Sequence, residues 1–118
     1  MVTGVQSALS GLLALQKKTA AGAHNVANVD TDGYKKVKVN LQETTPPGGV
    51  EARTEKIETP GPMVMEERAA GPEMVEQSNV ELSEELPNLM LSRRYFQANL
   101  KVVQGEDERL GHILNIKS

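Results

Sequence analysis

At each end of this 118-residue chain, apolar positions recur in alternating steps of three and four, and that spacing constrains the fold more than any other feature. The first series runs Val2, Val5, Leu9, Leu12, Gln16, Thr19, Ala23 and Val26. The second runs Leu82, Leu86, Leu89, Arg93, Phe96, Leu100, Val103, Asp107, Leu110 and Leu114. A seven-residue repeat is the period of a helix lying along another helix. The spacing therefore predicts helices over about 3–27 and about 83–114. Both strips are interrupted, at Gln16 and Thr19 in one and at Arg93 and Asp107 in the other. Arg93 and Asp107 read either as solvated positions or as polar register markers between helices. Gly4, Gly11 and Gly22 each cost about 1 kcal/mol relative to alanine in a helix interior, so the first helix is marginal on its own. Ala8, Ala14, Ala20, Ala21 and Ala27 would let a neighbouring backbone come close. Ser83 reads as the N-cap of the second helix, with Glu84 and Glu85 in its first turn. Pro87 then falls near the end of that turn, where its missing N–H costs little.

The stretch from about 28 to 78 holds five of the six prolines. Val37, Val39 and Leu41 alternate with polar residues, and so do Val50, Ala52 and Thr54. Thr45-Pro46-Pro47-Gly48-Gly49 lies between them, which predicts a hairpin. Met63-Val64-Met65 is a candidate third strand after Pro60-Gly61-Pro62. The fold class is therefore mainly α with a small β part: long terminal helices in a coiled-coil-like bundle and a short β-hairpin middle. The expected units are 1–30, 31–78 and 79–118. Leu13, Leu15, Met90, Leu91 and Val102 lie off the first strips, so each helix asks for more than one neighbour. An intramolecular helical hairpin and a polymer subunit both satisfy this pattern.

Composition narrows the function classes. Aromatic residues make up 3% of the chain, which argues against a thick core. Cysteine is absent, excluding disulfides, thiolate metal sites and a cysteine nucleophile. No apolar run approaches the roughly 20 residues of a membrane span. The opening residues lack the pattern of a secretory signal, so the expectation is a chain that stays inside or leaves without a cleaved signal peptide. Net charge is −3, against broad nucleic-acid binding. Residues 1–40 carry five lysines and two aspartates, whereas 41–80 carry three basic and eight acidic groups. Unlike charges on the two segments can steer packing between copies.

Candidate catalytic and metal sites are weak. Asn28, Asp30 and Asp32, with Gly33 following, imitate the first half of a calcium loop. The position needing a bidentate glutamate is Val39, and Lys35, Lys36 and Lys38 crowd the second half. The same residues suit a helix stop: Asn28, Asp30 and Thr31 can bond nearby backbone, and Gly33 can take a positive φ. His24 and His112 lie near opposite ends of the sequence, with no ligand spacing around either. No serine sits in a nucleophile elbow, and Gly48-Gly49 lacks the Lys-Ser/Thr of a phosphate loop. The methionines at 63, 65, 74 and 90 read as gap fillers. The expectation is a protein that is not an enzyme and uses no cofactor or metal.

Two stretches carry a family resemblance. Asn25-Val26-Ala27-Asn28-Val29-Asp30-Thr31-Asp32-Gly33-Tyr34-Lys35 resembles the N-terminal motif of bacterial flagellar rod and hook proteins, through Asn25, Ala27, Asn28, Thr31, Gly33 and Tyr34. The approach to it, Ser7-Ala8-Leu9-Ser10-Gly11-Leu12, looks like that family's amphipathic first helix. The run from Ser78 to Lys101 is similar to its C-terminal signature, through Asn79, Glu85, Asn88, Arg94, Gln97, Ala98, Asn99 and Lys101. Phe96 stands where the family usually has tyrosine, Arg93 where glutamine is common, and Pro87 where an unbroken helix is usual.

The resemblance implies a structural subunit of the flagellar basal-body rod, of proximal-rod type because only about fifty residues separate the motifs. It implies terminal helices layered around an axial channel and a middle segment facing outward. Partners would be the chain itself, other rod and hook axial proteins, and the flagellar type III export apparatus, with no nucleic acid and no membrane insertion. The location would be the periplasm-spanning basal body. Leu9, Leu12, Leu86, Leu89, Phe96, Leu100 and Val103 are the expected packing residues between helices; Asn25, Asn28, Thr31, Gly33 and Tyr34 are expected to fix the turn, and the Asn28–Tyr34 turn would set the angle between helix and strand. A non-flagellar coiled-coil adaptor or export chaperone is the competing reading.

Overall fold

The structure, a computed structural model, describes residues 2–44 and 48–117, with the side chains of Val2, Thr3 and Lys117 excepted. In chain order its elements are α1 (Val2–Ala27), β1 (Val37–Glu43), β2 (Val50–Lys56), β3 (Met63–Arg68), β4 (Gly71–Glu76) and α2 (Leu82–Lys117). The two long helices run antiparallel: Gly4 faces Glu106, Gly11 faces Asn99, and Gly22 faces Leu89. At 1.5 Å per residue, α2 is about 54 Å long. The molecule measures 80 × 24 × 19 Å with a radius of gyration of 20.8 Å, well above the about 13–14 Å of a compact domain of this length. Among the described residues, no helix is long and apolar enough to cross a membrane.

The helices meet one residue away from the expected seam. α2 turns Glu85, Leu89, Ser92, Phe96, Asn99, Val103 and Glu106 inward. It keeps three expected positions, Leu89, Phe96 and Val103, and replaces Leu86, Arg93, Leu100 and Asp107 with the residues just before them. On α1 every position shifts back by one, to Gly4, Ala8, Gly11, Leu15, Lys18, Gly22 and Asn25. The side chain of Val2, first in the expected series, lies outside the described residues. Side-chain size explains the shift. A Cβ at Gly22 would sit 2.7 Å from Leu89 Cδ2, and one at Gly11 would sit 3.0 Å from Asn99 Nδ2. The residues that weaken α1 as an isolated helix are the slots that seat α2. Close backbone approach over small residues is favoured, and the bulkier strip is left outside. Leu9 is consequently 48% exposed, Leu86 49% and Leu100 42%. Leu12 is half-buried, and Arg93 and Asp107 are solvated.

The start of α2 also differs from expectation. The Glu81 carbonyl accepts from the amides of Glu84 (3.1 Å) and Glu85 (3.0 Å), so Glu81, and not Ser83, begins the helix. Pro87 therefore lies in the second turn, where its missing N–H deprives the Ser83 carbonyl of its helical donor.

The middle holds two hairpins, one more than expected. β1 and β2 pair antiparallel from Val37↔Lys56 to Glu43↔Val50, and this ribbon packs on α1 with Val39 buried. The first three positions of the Thr45-Pro46-Pro47-Gly48-Gly49 turn lie outside the described residues. Met63–Arg68 does form a strand, but it pairs with β4, from Met63↔Glu76 to Arg68↔Gly71. Pro60 and Pro62 supply no N–H to extend the first sheet, so the chain leaves it there. The second hairpin is tied down by polar contacts: Gly33 donates to the Glu76 carbonyl (2.8 Å), Lys35 pairs with Glu76, and Arg68 reaches Asp32 at 3.2 Å. Its methionines fill no gap in the chain, for Met63, Met65 and Met74 are all exposed, as is Met90 on α2.

Candidate functional site: an asparagine clasp between the two ends

Asn25 occupies the last seam position of α1 and is 1% exposed. A buried carboxamide has two donors and two acceptor positions to satisfy, and an unpaired one is costly. Here all four are used. Asn25 Nδ2 donates to the Val37 carbonyl (2.8 Å) and to Glu85 Oε1 (3.2 Å). Asn25 Oδ1 accepts from the Tyr34 hydroxyl (2.8 Å) and from the Val37 amide (2.9 Å). The side chain thus bonds both backbone groups of Val37, as a neighbouring strand would, while also holding α2 and the turn.

The turn that makes this possible is built from the residues after α1. The Asn28 amide bonds the carbonyls of His24 (3.2 Å) and Asn25 (3.1 Å), ending the helix. Asn28 Nδ2 donates to the His24 carbonyl at 2.9 Å, and Thr31 Oγ1 donates to Asn28 Oδ1 at 3.0 Å. Gly33 takes a φ of 69°, a left-handed conformation that glycine adopts without a Cβ clash. The reversal returns Tyr34 against the helix it has left. Its ring meets His24 edge-on at 5.6 Å, and its hydroxyl reaches Asn25. Ala27 ends α1 and is exposed.

The other half of the clasp comes from the approach to α2. Asn79 Oδ1 accepts from the Lys36 amide (2.6 Å), and Nδ2 donates to the carbonyls of Ile57 and Thr59 (2.9 Å each). The Asn79 amide donates to the Tyr34 carbonyl at 3.2 Å. One asparagine therefore stitches α1 to β1, and the other stitches the end of the first ribbon to the start of α2. Burial pushes the Glu85 carboxyl above the usual range, opposed by its bond from Asn25 and by Lys36, and helped by the charge of Glu84. Burial, then the Glu85 charge, also raises the Tyr34 phenol, keeping it a donor. At the rim, the Lys35 bond and the Gly61 amide hold Glu76 below the usual carboxylate range.

Of the residues singled out from sequence, Asn25, Asn28, Thr31, Gly33, Tyr34, Asn79 and Glu85 converge here. Asn88, Arg94, Gln97, Ala98 and Lys101 do not, since they stand exposed along α2. Asn99 is part-buried against Gly11. Val37, Lys36 and Glu76 complete the clasp and were not anticipated, because backbone groups and a surface carboxylate carry no motif. Oxygens that imitated a calcium loop are engaged within the protein, Asn28 by Thr31 and Asp32 by Arg68. Nothing in the clasp is poised as a nucleophile or as an acid–base pair. Its polar atoms fix geometry.

The segments that the clasp joins are those that match known families. A model described as flagella basal body rod protein matches residues 6–35, and one described as flagellar basal body rod FlgEFG protein C-terminal matches residues 72–116. Asn25 belongs to the first match, and Asn79 and Glu85 to the second. The chain belongs to the flagellar basal body rod proteins. Its role is structural, as a component of the flagellar basal-body rod. Among curated proteins none matches it. In this rod protein the two family segments are not independent signatures. They are two sides of one hydrogen-bonded junction.

Proposed function

We propose that the chain is a self-assembling rod subunit, exported through the flagellar type III apparatus and incorporated beside copies of itself and other axial proteins in the basal body. One observation carries this reading. α1 covers a single side of α2, while Leu86, Met90, Leu91, Leu100, Val102 and Leu110 stay exposed around the rest. An apolar surface spread over several sides of a 36-residue helix is what a subunit surrounded by other helices requires. The elongated shape and the narrow intramolecular seam support it, as does the lack of cysteine in a chain bound for an oxidising compartment. The about fifty residues between the motifs support a proximal-rod type. In this reading 1–30 and 79–118 form the axial helical layer, with 31–78 projecting from it.

Leu100→Asp tests assembly separately from folding. Leu89 would not, because it is seated on Gly22 and its loss damages the chain itself. Leu100 is exposed, so its replacement leaves circular dichroism unchanged while swimming is lost and the chain is missing from purified basal bodies. Normal swimming by that variant overturns the proposal. A discrete, stable dimer by sedimentation would favour an adaptor or chaperone instead.

A further inference from the structure

The first ribbon has an open edge beside two unfilled hollows. Ile57 donates to the Lys36 carbonyl and Thr44 to the Gly49 carbonyl, which sets the parity of the ladder. Residues at even positions in β1 bond β2, and Val37, Val39 and Leu41 point their backbone groups outward. Asn25 satisfies both groups of Val37. Those of Val39 and Leu41 have no partner among the described residues, although Val39 is only 6% exposed. Beside this edge lie hollows of about 280 and 250 Å³, between β1 and α2, floored by Gly22 and Leu15 and walled by Leu89 and Tyr95.

The second hairpin offers the matching part. The Gln77 amide bonds the Pro62 carbonyl, so Met63, Met65 and Glu67 of β3 face outward along its edge, and Pro72, Met74 and Glu76 along the edge of β4. The β4 edge is blocked: Pro72 has no N–H, and the Glu76 carbonyl is taken by Gly33. The β3 edge is open. Met63 and Met65 are 54% and 61% exposed, on one face of the ribbon. In the structure β3 touches neither β1 nor a helix, so it cannot serve β1 of its own chain.

We propose that β3 of a second copy adds to the free edge of β1, antiparallel, with Met65 opposite Val39 and Met63 opposite Leu41. Opposed residues share a sheet face, so both methionine side chains turn with Val39 into the two hollows. Methionine suits irregular gaps. The same register sets Lys38 across from Glu66. Pairing stops at Val37, where Asn25 already fills the edge. This rests on the rod-subunit reading, since it requires copies held side by side.

The chain lacks cysteine, so paired cysteines report this contact directly. Opposed Cα atoms about 5.5 Å apart fall within disulfide range. Cells carrying Leu41→Cys with Met63→Cys should give basal bodies whose oxidation links copies of the chain. Leu41→Cys with Met74→Cys, equally exposed but on the blocked strand, should link roughly tenfold less. Met65→Pro, which removes an outward donor and no ladder bond, should abolish the link in the first pair. Equal linking by both pairs, or none in basal bodies that contain the chain, overturns this pairing and leaves the rod reading standing. Absence of the unmodified chain from basal bodies removes both.

Discussion

Around Asn25 every polar group of the clasp finds its partner within one chain, whereas from Ser92 onward α2 turns Leu100, Val102 and Leu110 to the outside. The first region is short of nothing. The second is half a structure, with one seam filled and its other sides bare. On the proposed self-assembly, the difference separates what a subunit must settle alone from what it leaves to its neighbours. A junction angle that must be identical in every copy is held by directional hydrogen bonds. In the proposed rod, contact between the helices of neighbouring subunits is left to apolar surface, which is less directional and adapts to the neighbour it meets.

The largest effect that would sharpen this contrast is expected from Asn25→Ala. It leaves the Tyr34 hydroxyl and both backbone groups of the half-buried Val37 without these partners. Each orphaned group costs about 1–3 kcal/mol, so a loss of roughly 3 kcal/mol or more is expected in urea unfolding. Hydrogen exchange at the Val37 amide should accelerate most. A variant with unchanged exchange there would break the comparison, since the clasp would then not be what fixes the junction.

Next come the glycines, which should differ in sign. At Gly22 an added Cβ would sit 2.7 Å from Leu89 Cδ2 and 3.2 Å from its Cγ, so the branch carbon and not only a free tip must give way, and over-packing of about 1–3 kcal/mol outweighs the gain in helix propensity. Gly22→Ala is expected to destabilise the helix pair by about 1 kcal/mol. At Gly105 an added Cβ meets nothing within 4 Å, so Gly105→Ala should stabilise the single chain by up to about 1 kcal/mol. Thermal unfolding by circular dichroism reads both. Equal shifts in one direction would mean that the glycines act through propensity alone and that Gly22 is not a slot.

That pair also shows where sequence reading stops. The three-and-four spacing located both helices, because periodicity reports which face of a helix is apolar. It does not report which part of that face meets the chain's own partner. Gly4, Gly11 and Gly22 looked like defects when α1 was read alone, and only the opposing Glu106, Asn99 and Leu89 make them seats. The turn from Asn28 to Gly33 was legible because its bonds are local. The bond from Asn25 to Glu85 spans 60 residues and leaves no local trace. β3 was visible through its alternating methionines, but Pro72 and the glutamates of Gly71–Glu76 hid β4. A regular 3–4 spacing of small residues, one step from the apolar strip, was the available and unused signal for the seam.

The smallest effects concern pH, and they separate the clasp's centre from its rim. The Glu85 carboxyl is raised by burial, so the folded chain holds that proton more tightly than the unfolded one. Its favourable contribution is complete below the ordinary carboxylate value and declines as pH rises through the raised one. Glu85→Gln keeps an oxygen for Asn25 and drops the buried charge. It should leave acid stability nearly unchanged and give a small gain at neutral pH. Glu76 is lowered, chiefly by Lys35, so its contribution is present above the ordinary value and fades as pH falls through the depressed one. Lys35→Met should therefore cost a little stability at neutral pH and nothing in strong acid. Urea unfolding at a series of pH values would show the two variants bending the profile in opposite directions at neutral pH. If Glu85→Gln instead destabilises there, the charge of Glu85 is a net asset to the junction, and the centre of the clasp is held as an ion-assisted contact like its rim.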